Sequence, residues 1–178
     1  MMKPINVGLL GCGTVGSGTF TVLQRNQQEI MRRAGREIVI KVVADKDVEK
    51  ARALVNDKAE VIDDAFKVVA QKDIDIVVEL IGGTGIAKDL VMKAIENGKH
   101  VVTANKALMA KHGNEIFAAA QKKGVMVAFE AAVAGGVPII KALREGLTAN
   151  RIEWIAGIIN GTSNFILSEM RDKGLSFD

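Results

Sequence analysis

The run Ile5-Asn6-Val7-Gly8-Leu9-Leu10 leads directly into Gly11-Cys12-Gly13-Thr14-Val15-Gly16. Helical spacing then sets in, with Val15, Thr19, Val22 and Leu23 as its apolar positions. An apolar strand that feeds a G-x-G-x-x-G turn and then a helix opens a βαβ unit of the kind that cradles a dinucleotide. Each glycine has a separate task. Gly11 permits the tight strand-to-helix turn, and Gly13 leaves out a side chain where a pyrophosphate must come close. Gly16 lets the helix pack against the strand. The helix start, at Thr14 and Val15, offers unpaired N–H groups and a partial positive charge to phosphates. A glycine-rich turn without a ligand is the alternative.

Strand and helix patterns alternate from there. Strands are expected at 5–10, 38–44, 75–81, 99–103 and 125–129, with a short one near 59–62. Several are continuous Val/Ile runs, such as Ile76-Val77-Val78 and Val101-Val102, which suit strands buried on both faces of a parallel sheet. Helices are expected at about 14–33, 47–56, 63–71, 85–97, 106–123 and 138–147. This is a doubly wound, Rossmann-type α/β domain over residues 1–135. Residues 136–178 read differently. Gly135-Gly136-Val137-Pro138 is a hinge-like stretch, with Pro138 suited to the first turn of a helix. Residues 152–159 read as a strand, followed by a helical start at Phe165, Ile166 and Met170. One strand and one helix cannot bury their own apolar faces. The expectation is the opening of a second domain whose remainder is absent.

Composition narrows the function classes. Lysine and arginine number 24 against 21 acids, interspersed, and aromatics are only 4%, so no basic stripe with stacking residues marks a nucleic-acid surface. The single cysteine cannot form an intrachain disulfide or a cysteine metal site. The N-terminal apolar stretch is too short for a signal peptide, and Glu130 interrupts the longest apolar run. A reducing, cytoplasmic setting, with no membrane partner, is the expectation.

Chemistry in open α/β sheets gathers outside the carboxyl ends of the strands. Asp45, ending the second strand, is the candidate for the adenosine ribose. It lies beyond the usual spacing of about twenty residues because the polar segment 24–37 lengthens the first crossover. Lys46 beside it could meet a 2′-phosphate, and Asp45 could instead cap the next helix. After the strand ending at Leu80-Ile81, Gly82-Gly83-Thr84-Gly85 lets backbone approach a cofactor. After the next strand comes Thr103-Ala104-Asn105-Lys106. Asn105 can cap a helix, which leaves Lys106 in its first turn, where a cation opposes the helix dipole by about 0.3–1 kcal/mol. That makes Lys106 a catalytic candidate, with a solvated surface lysine as the alternative. Glu130 precedes a small-residue loop and could either bind a cation with nearby carbonyls or anchor the loop. His100 and His112 read as solvated, and Cys12 as a small filler. With no other cysteine, thiohemiacetal chemistry lacks a nucleophile.

Four segments resemble the homoserine dehydrogenase family, in the family's order. They are Gly-Cys-Gly-Thr-Val-Gly-Ser-Gly at 11–18 and Val-Val-Thr-Ala-Asn-Lys-Ala-Leu at 101–108. The others are Phe-Glu-Ala-Ala-Val-Ala-Gly-Gly-Val-Pro-Ile-Ile at 129–140 and Gly-Ile-Ile-Asn-Gly-Thr-Ser-Asn-Phe-Ile-Leu at 157–167. The resemblance implies hydride transfer between L-aspartate 4-semialdehyde and L-homoserine with NAD or NADP, on the route to threonine and methionine. It implies that residues 136–178 begin an α+β substrate and dimerisation domain, and a homodimer built through it. By position, Thr14, Val15 and Thr84 would lie at the cofactor, and Lys106 by the nicotinamide and substrate. Glu130 with the carbonyls of Val133, Gly135 and Val137 would match a monovalent-cation site for Na⁺ or K⁺. Gly161 and Thr162 would border the reaction pocket. The family's substrate-binding acid and its catalytic lysine–aspartate pair would fall beyond Asp178, so the segment alone is expected to be inactive. Two other classes stay open: another direct-hydride amino-acid dehydrogenase, and a non-catalytic nucleotide-binding sensor.

Overall fold

The computed structural model describes residues 2–177, and the chain divides into two compact units, residues 1–137 and 138–178. In the first unit six strands run in the order β1 (Ile5–Leu10), β2 (Ile38–Ala44), β3 (Glu60–Ile62), β4 (Ile76–Glu79), β5 (His100–Thr103) and β6 (Val127–Ala128). They form one sheet in the spatial order β3-β2-β1-β4-β5-β6, and every neighbouring pair is parallel. The order reverses between β1 and β4, so a crevice opens outside their carboxyl ends.

The helices of this unit are α1 (Thr14–Arg25), α2 (Gln27–Ala34), α3 (Val48–Val55), α4 (Ala65–Ala70), α5 (Ile86–Glu96) and α6 (Lys106–Lys123). Their starts are set by short polar side chains. Asp47 accepts the Lys50 N–H (3.1 Å), Asp64 that of Phe66 (2.9 Å) and Asn105 that of Leu108 (3.0 Å). Asp45 is therefore not the cap of α3; Asp47 is.

Two apolar clusters sandwich the sheet, as the continuous strand runs require. Val7, Leu9, Ile40 and Val43 turn to one face with Phe20, Ala51 and Val55 from α1 and α3. Leu10, Val42, Val77 and Val101 turn to the other with Leu90, Val91, Leu108 and Ile116 from α5 and α6. Side-chain alternation along each strand thus fills both cores, each large buried side chain contributing about 1.5–3 kcal/mol. On the first face Val15 and Val22 of α1, with Ile76, Val78 and Val102, line an apolar depression of about 590 Å³.

Several boundaries differ from the expectations. The helix expected over 14–33 breaks at Asn26, which ends α1 and starts α2. The strand expected over 75–81 ends at Glu79, because the chain turns away through Gly82 and Gly83 at φ +84° and +73°. The last strand has only two residues. In the second unit, α7 (Ile139–Lys141) continues as a π-helical turn over Ala142–Gly146, and α8 spans Gly161–Lys173. The strand expected over 152–159 does not form; the stretch carries no regular structure. A strand needs a neighbour for its N–H and C=O groups, and this unit holds no other strand among the described residues. Its apolar side chains accordingly face outward, with Trp154 78% and Ile159 98% exposed.

Candidate active site

The turn after β1 has the geometry of an anion cradle. Gly11 has φ +95°, and a Cβ there would come within 2.8 Å of the Leu80 carbonyl oxygen. At Gly13 a Cβ would meet nothing within 4 Å, so this position faces open space. At Gly16 a Cβ would lie 2.0 Å from the Gly11 carbonyl oxygen, so α1 packs on the turn itself rather than on the body of the strand. Gly13 is the N-cap of α1, no side chain caps the helix, and its first turn carries no acid. The N–H groups of Thr14 and Val15, both exposed, thus remain available to an anion.

Asp45 closes one side of this turn. Its carboxylate accepts the N–H of Cys12 through one oxygen and that of Asp47 (2.9 Å) through the other. It ties the glycine turn to the end of β2, an attachment that spacing alone did not suggest. Beyond it a cavity of about 510 Å³ is lined by Gly11, Gly13, Asp45, Lys46, Asp63, Asp64, Phe66, Lys67, Leu80, Ile81 and Ile86. Its lining mixes apolar side chains, Phe66, Leu80, Ile81 and Ile86, with charges of both signs, which suits a nucleoside whose base is apolar on its faces and whose ribose is polar. Asp63, Phe66 and Lys67 were not among the residues the sequence pointed to. Cys12 is buried beneath the turn, and its thiol is pushed up to about 11 by burial first and by the nearby Asp45 second. Such a thiol is inert, in keeping with a filler.

The ends of β4 and β5 are joined by a network the sequence did not reveal. Glu79 is 0% exposed. One carboxylate oxygen accepts the N–H groups of Ile81 (2.9 Å) and Gly82 (3.2 Å), and the other accepts the Thr103 hydroxyl (2.7 Å). The Thr103 oxygen in turn accepts the Asn105 N–H (3.0 Å). The Asn105 side chain donates to the Gly83 carbonyl (2.6 Å) while capping α6. The signal available was a lone acid in the apolar run Ile76-Val77-Val78-Glu79-Leu80-Ile81.

Lys106 is the first residue of α6, exposed, and without an ion-pair partner among the described residues. The network sets it next to the loop that holds Gly83 and Thr84. Glu130 opens a 3-10 turn over Glu130–Ala132, and its own carbonyl accepts the Val133 N–H (3.1 Å). Ala134 and Gly135 then take φ +55° and +59°, and Val137 donates to the Ala134 carbonyl (3.2 Å). These residues form one tight loop at the end of the first unit. Gly161 and Thr162 open α8 in the second unit, where Asn160 accepts the Ser163 N–H (2.8 Å). His100 accepts the Met126 N–H through Nδ1 (3.0 Å) at the amino end of β5, away from the crevice.

The family model for the homoserine dehydrogenase NAD-binding domain matches residues 11–130, and that for homoserine dehydrogenase matches residues 138–178. The homoserine dehydrogenase of Neisseria gonorrhoeae is 66% identical over 99% of this chain. The crystal structure of a homoserine dehydrogenase from Thiobacillus denitrificans superimposes with a TM-score of 0.88 at 71% identity, again over 99% of the chain. A hyperthermophilic archaeal homoserine dehydrogenase, solved in complex with NADPH, shares the fold at a TM-score of 0.78 and 24% identity. The chain spans 40% of the length of the Neisseria relative and 41% of the Thiobacillus one. With its glycine turn, its sheet order and these matches together, the chain belongs to the homoserine dehydrogenase family.

Proposed function

We propose that this chain supplies the cofactor half of an NAD(P)-dependent homoserine dehydrogenase, which transfers hydride between L-aspartate 4-semialdehyde and L-homoserine. The observation that carries the reading is the glycine turn, open at Gly13 and closed at Gly16, within a family match along the chain. The site suits the cofactor on its own terms: an uncapped helix start for the pyrophosphate, and a half-apolar cavity beside β2 for the adenosine. The bound nicotinamide would supply the hydride. Gly11, Gly13, Thr14, Val15 and Gly16 would hold the pyrophosphate. Asp45 and Lys46 would meet the adenosine ribose, with Lys46 the charge that tolerates a 2′-phosphate.

The other cofactor half would then extend towards β4 and β5, where Gly83, Thr84 and Lys106 stand. The Lys106 ammonium would stabilise negative charge growing on the substrate oxygen as the carbonyl is reduced. Gly161 and Thr162, at the start of α8, would contribute to holding the substrate. Glu130 with the carbonyls of Val133, Gly135 and Val137 would hold a monovalent cation, Na⁺ or K⁺. Assembly as a homodimer would follow from the exposed apolar side chains of the second unit, such as Ile158 and Phe165.

The test is calorimetric titration of the chain with NADPH and NADH, alongside homoserine oxidation by a polypeptide of full family length that begins with it. Binding by the chain and turnover by the longer polypeptide are expected. Absence of nucleotide binding would overturn the cofactor reading, and binding without turnover by the longer polypeptide would favour a nucleotide sensor.

A further inference from the structure

Glu79 sits where an apolar residue would pack at lower cost. A buried carboxylate loses its hydration, and no cation pairs with Glu79 among the described residues to offset the loss. What it gains is three donors, and they come from two different segments of the chain. Ile81 and Gly82 belong to the loop after β4, while Thr103 ends β5. Thr103 passes the link on to Asn105, and Asn105 returns it to Gly83. The result is a closed ring of hydrogen bonds at the carboxyl ends of β4 and β5, on the β4 side of the crevice.

The ring lies to one side of the nucleotide cradle. The adenosine cavity opens on the β2 side of the glycine turn at Asp45 and Lys46, and Leu80 and Ile81 of the loop after β4 close it; Gly83, Thr103, Asn105 and Lys106 do not line it. The sheet order puts β4 and β5 on the opposite side. A dinucleotide whose pyrophosphate rests on Gly13 therefore has its nicotinamide half towards the ring. We propose that Glu79, acting through Thr103 and Asn105, is a positioning residue for the nicotinamide half of the site. Through the Thr103–Asn105 arm of the ring, which does not reach the adenosine cavity, it fixes the Gly83–Thr84 loop and Lys106 in one geometry. This rests on the cofactor reading above.

The ring makes a prediction that a general loss of stability does not. Thr103→Val removes the hydroxyl that links the two segments. Glu79→Gln keeps an oxygen for the Ile81 and Gly82 N–H groups but turns an NH2 towards Thr103, which leaves the hydroxyl proton without its acceptor. Thr103→Ser keeps the link. Asn105→Ser keeps an α6 cap but is too short to reach Gly83. Binding of NADH is compared with that of ADP-ribose, which lacks the nicotinamide, in the 178-residue chain. Thr103→Val, Glu79→Gln and Asn105→Ser should weaken NADH by about fivefold or more and change ADP-ribose by less than about twofold; Thr103→Ser should bind both like wild type. Should the buried variants fail to fold, Asn105→Ser still decides the matter, because its side chain is only partly buried. Equal losses for the two ligands, or unchanged NADH binding in Asn105→Ser, would overturn the proposal. Failure of the wild-type chain to bind either ligand would instead overturn the cofactor reading.

Discussion

Gly13 and Gly16 stand three residues apart in the same turn, and alanine should affect them in opposite ways. At Gly13 the backbone has φ −65° and ψ −164°, which alanine adopts, and its methyl would meet nothing within 4 Å. Two small terms then compete. Alanine restricts the unfolded chain, worth about 0.4–1 kcal/mol, and is a poorer N-cap than glycine by a similar amount. Stability should change by no more than about 0.5 kcal/mol. The methyl would nevertheless occupy the open space where the pyrophosphate is expected, so NADH and NADPH affinity should fall at least about tenfold, or 1.4 kcal/mol. At Gly16 the methyl would lie 2.0 Å from the Gly11 carbonyl oxygen and 2.9 Å from its carbon. Those are backbone atoms, and Gly11 is itself hydrogen-bonded to the Ala44 carbonyl (2.8 Å), so the turn cannot yield without opening the sheet. The cost should reach the upper end of the overpacking range, about 3 kcal/mol, and the melting temperature should fall by roughly 6 °C or more. Thermal denaturation of the two variants, with and without saturating NADPH, separates the effects. A Gly13→Ala protein that binds like wild type, or a Gly16→Ala protein that melts like wild type, would refute the assignment of the turn.

The other predictions concern single side chains. Lys106→Ala in a polypeptide of full family length should lower kcat/KM at least about tenfold with an unchanged melting temperature; near-normal kinetics would leave Lys106 a surface residue. Lys46→Ala should weaken NADPH more than NADH, and equal losses in calorimetry would show that Lys46 does not read the 2′-phosphate. In the same longer polypeptide, added Na⁺ or K⁺ at fixed ionic strength should raise activity and Glu130→Gln should flatten that response; a wild-type response in the variant would reduce Glu130 to a loop anchor. Cys12 has a folded-state pKa of about 11 against the ordinary 9.0, so the unfolded thiol ionises first. Any stability it provides is full below pH 9 and lost as pH rises towards 11, and at pH 8 a thiol reagent should label it only after denaturation.

Most of the first unit was legible because its strands are buried on both faces. That burial forces continuous apolar runs, and helical periodicity fills the intervals between them. The glycine turn, the Asn105 cap and the α6 start at Lys106 followed from residue chemistry alone. Boundaries failed where geometry depends on what lies across from the chain. β4 stops at Glu79 because two glycines in the left-handed region turn the backbone away, and periodicity cannot see that. The 152–159 stretch has strand composition but no neighbouring strand in its unit, and composition does not supply hydrogen-bond partners.

The site shows the same division more sharply. Asp45 was visible as an acid at a strand end, but its attachment to the Cys12 N–H needs the glycine turn and β2 to be side by side, 33 residues apart in sequence. Glu79 is the harder case. In the sequence it is one acid in an apolar run, within a strand expected to continue to Ile81, and acids are mostly exposed, so nothing there says that it is enclosed. In the fold it is among the most enclosed side chains, because Thr103 stands beside it on β5, in register with it, 24 residues further on. Sequence periodicity reports which residues one element buries. A carboxylate that is buried because a neighbouring element brings its donor is a property of the sheet order, and sheet order is what makes the crevice between β1, β4 and β5 a site at all.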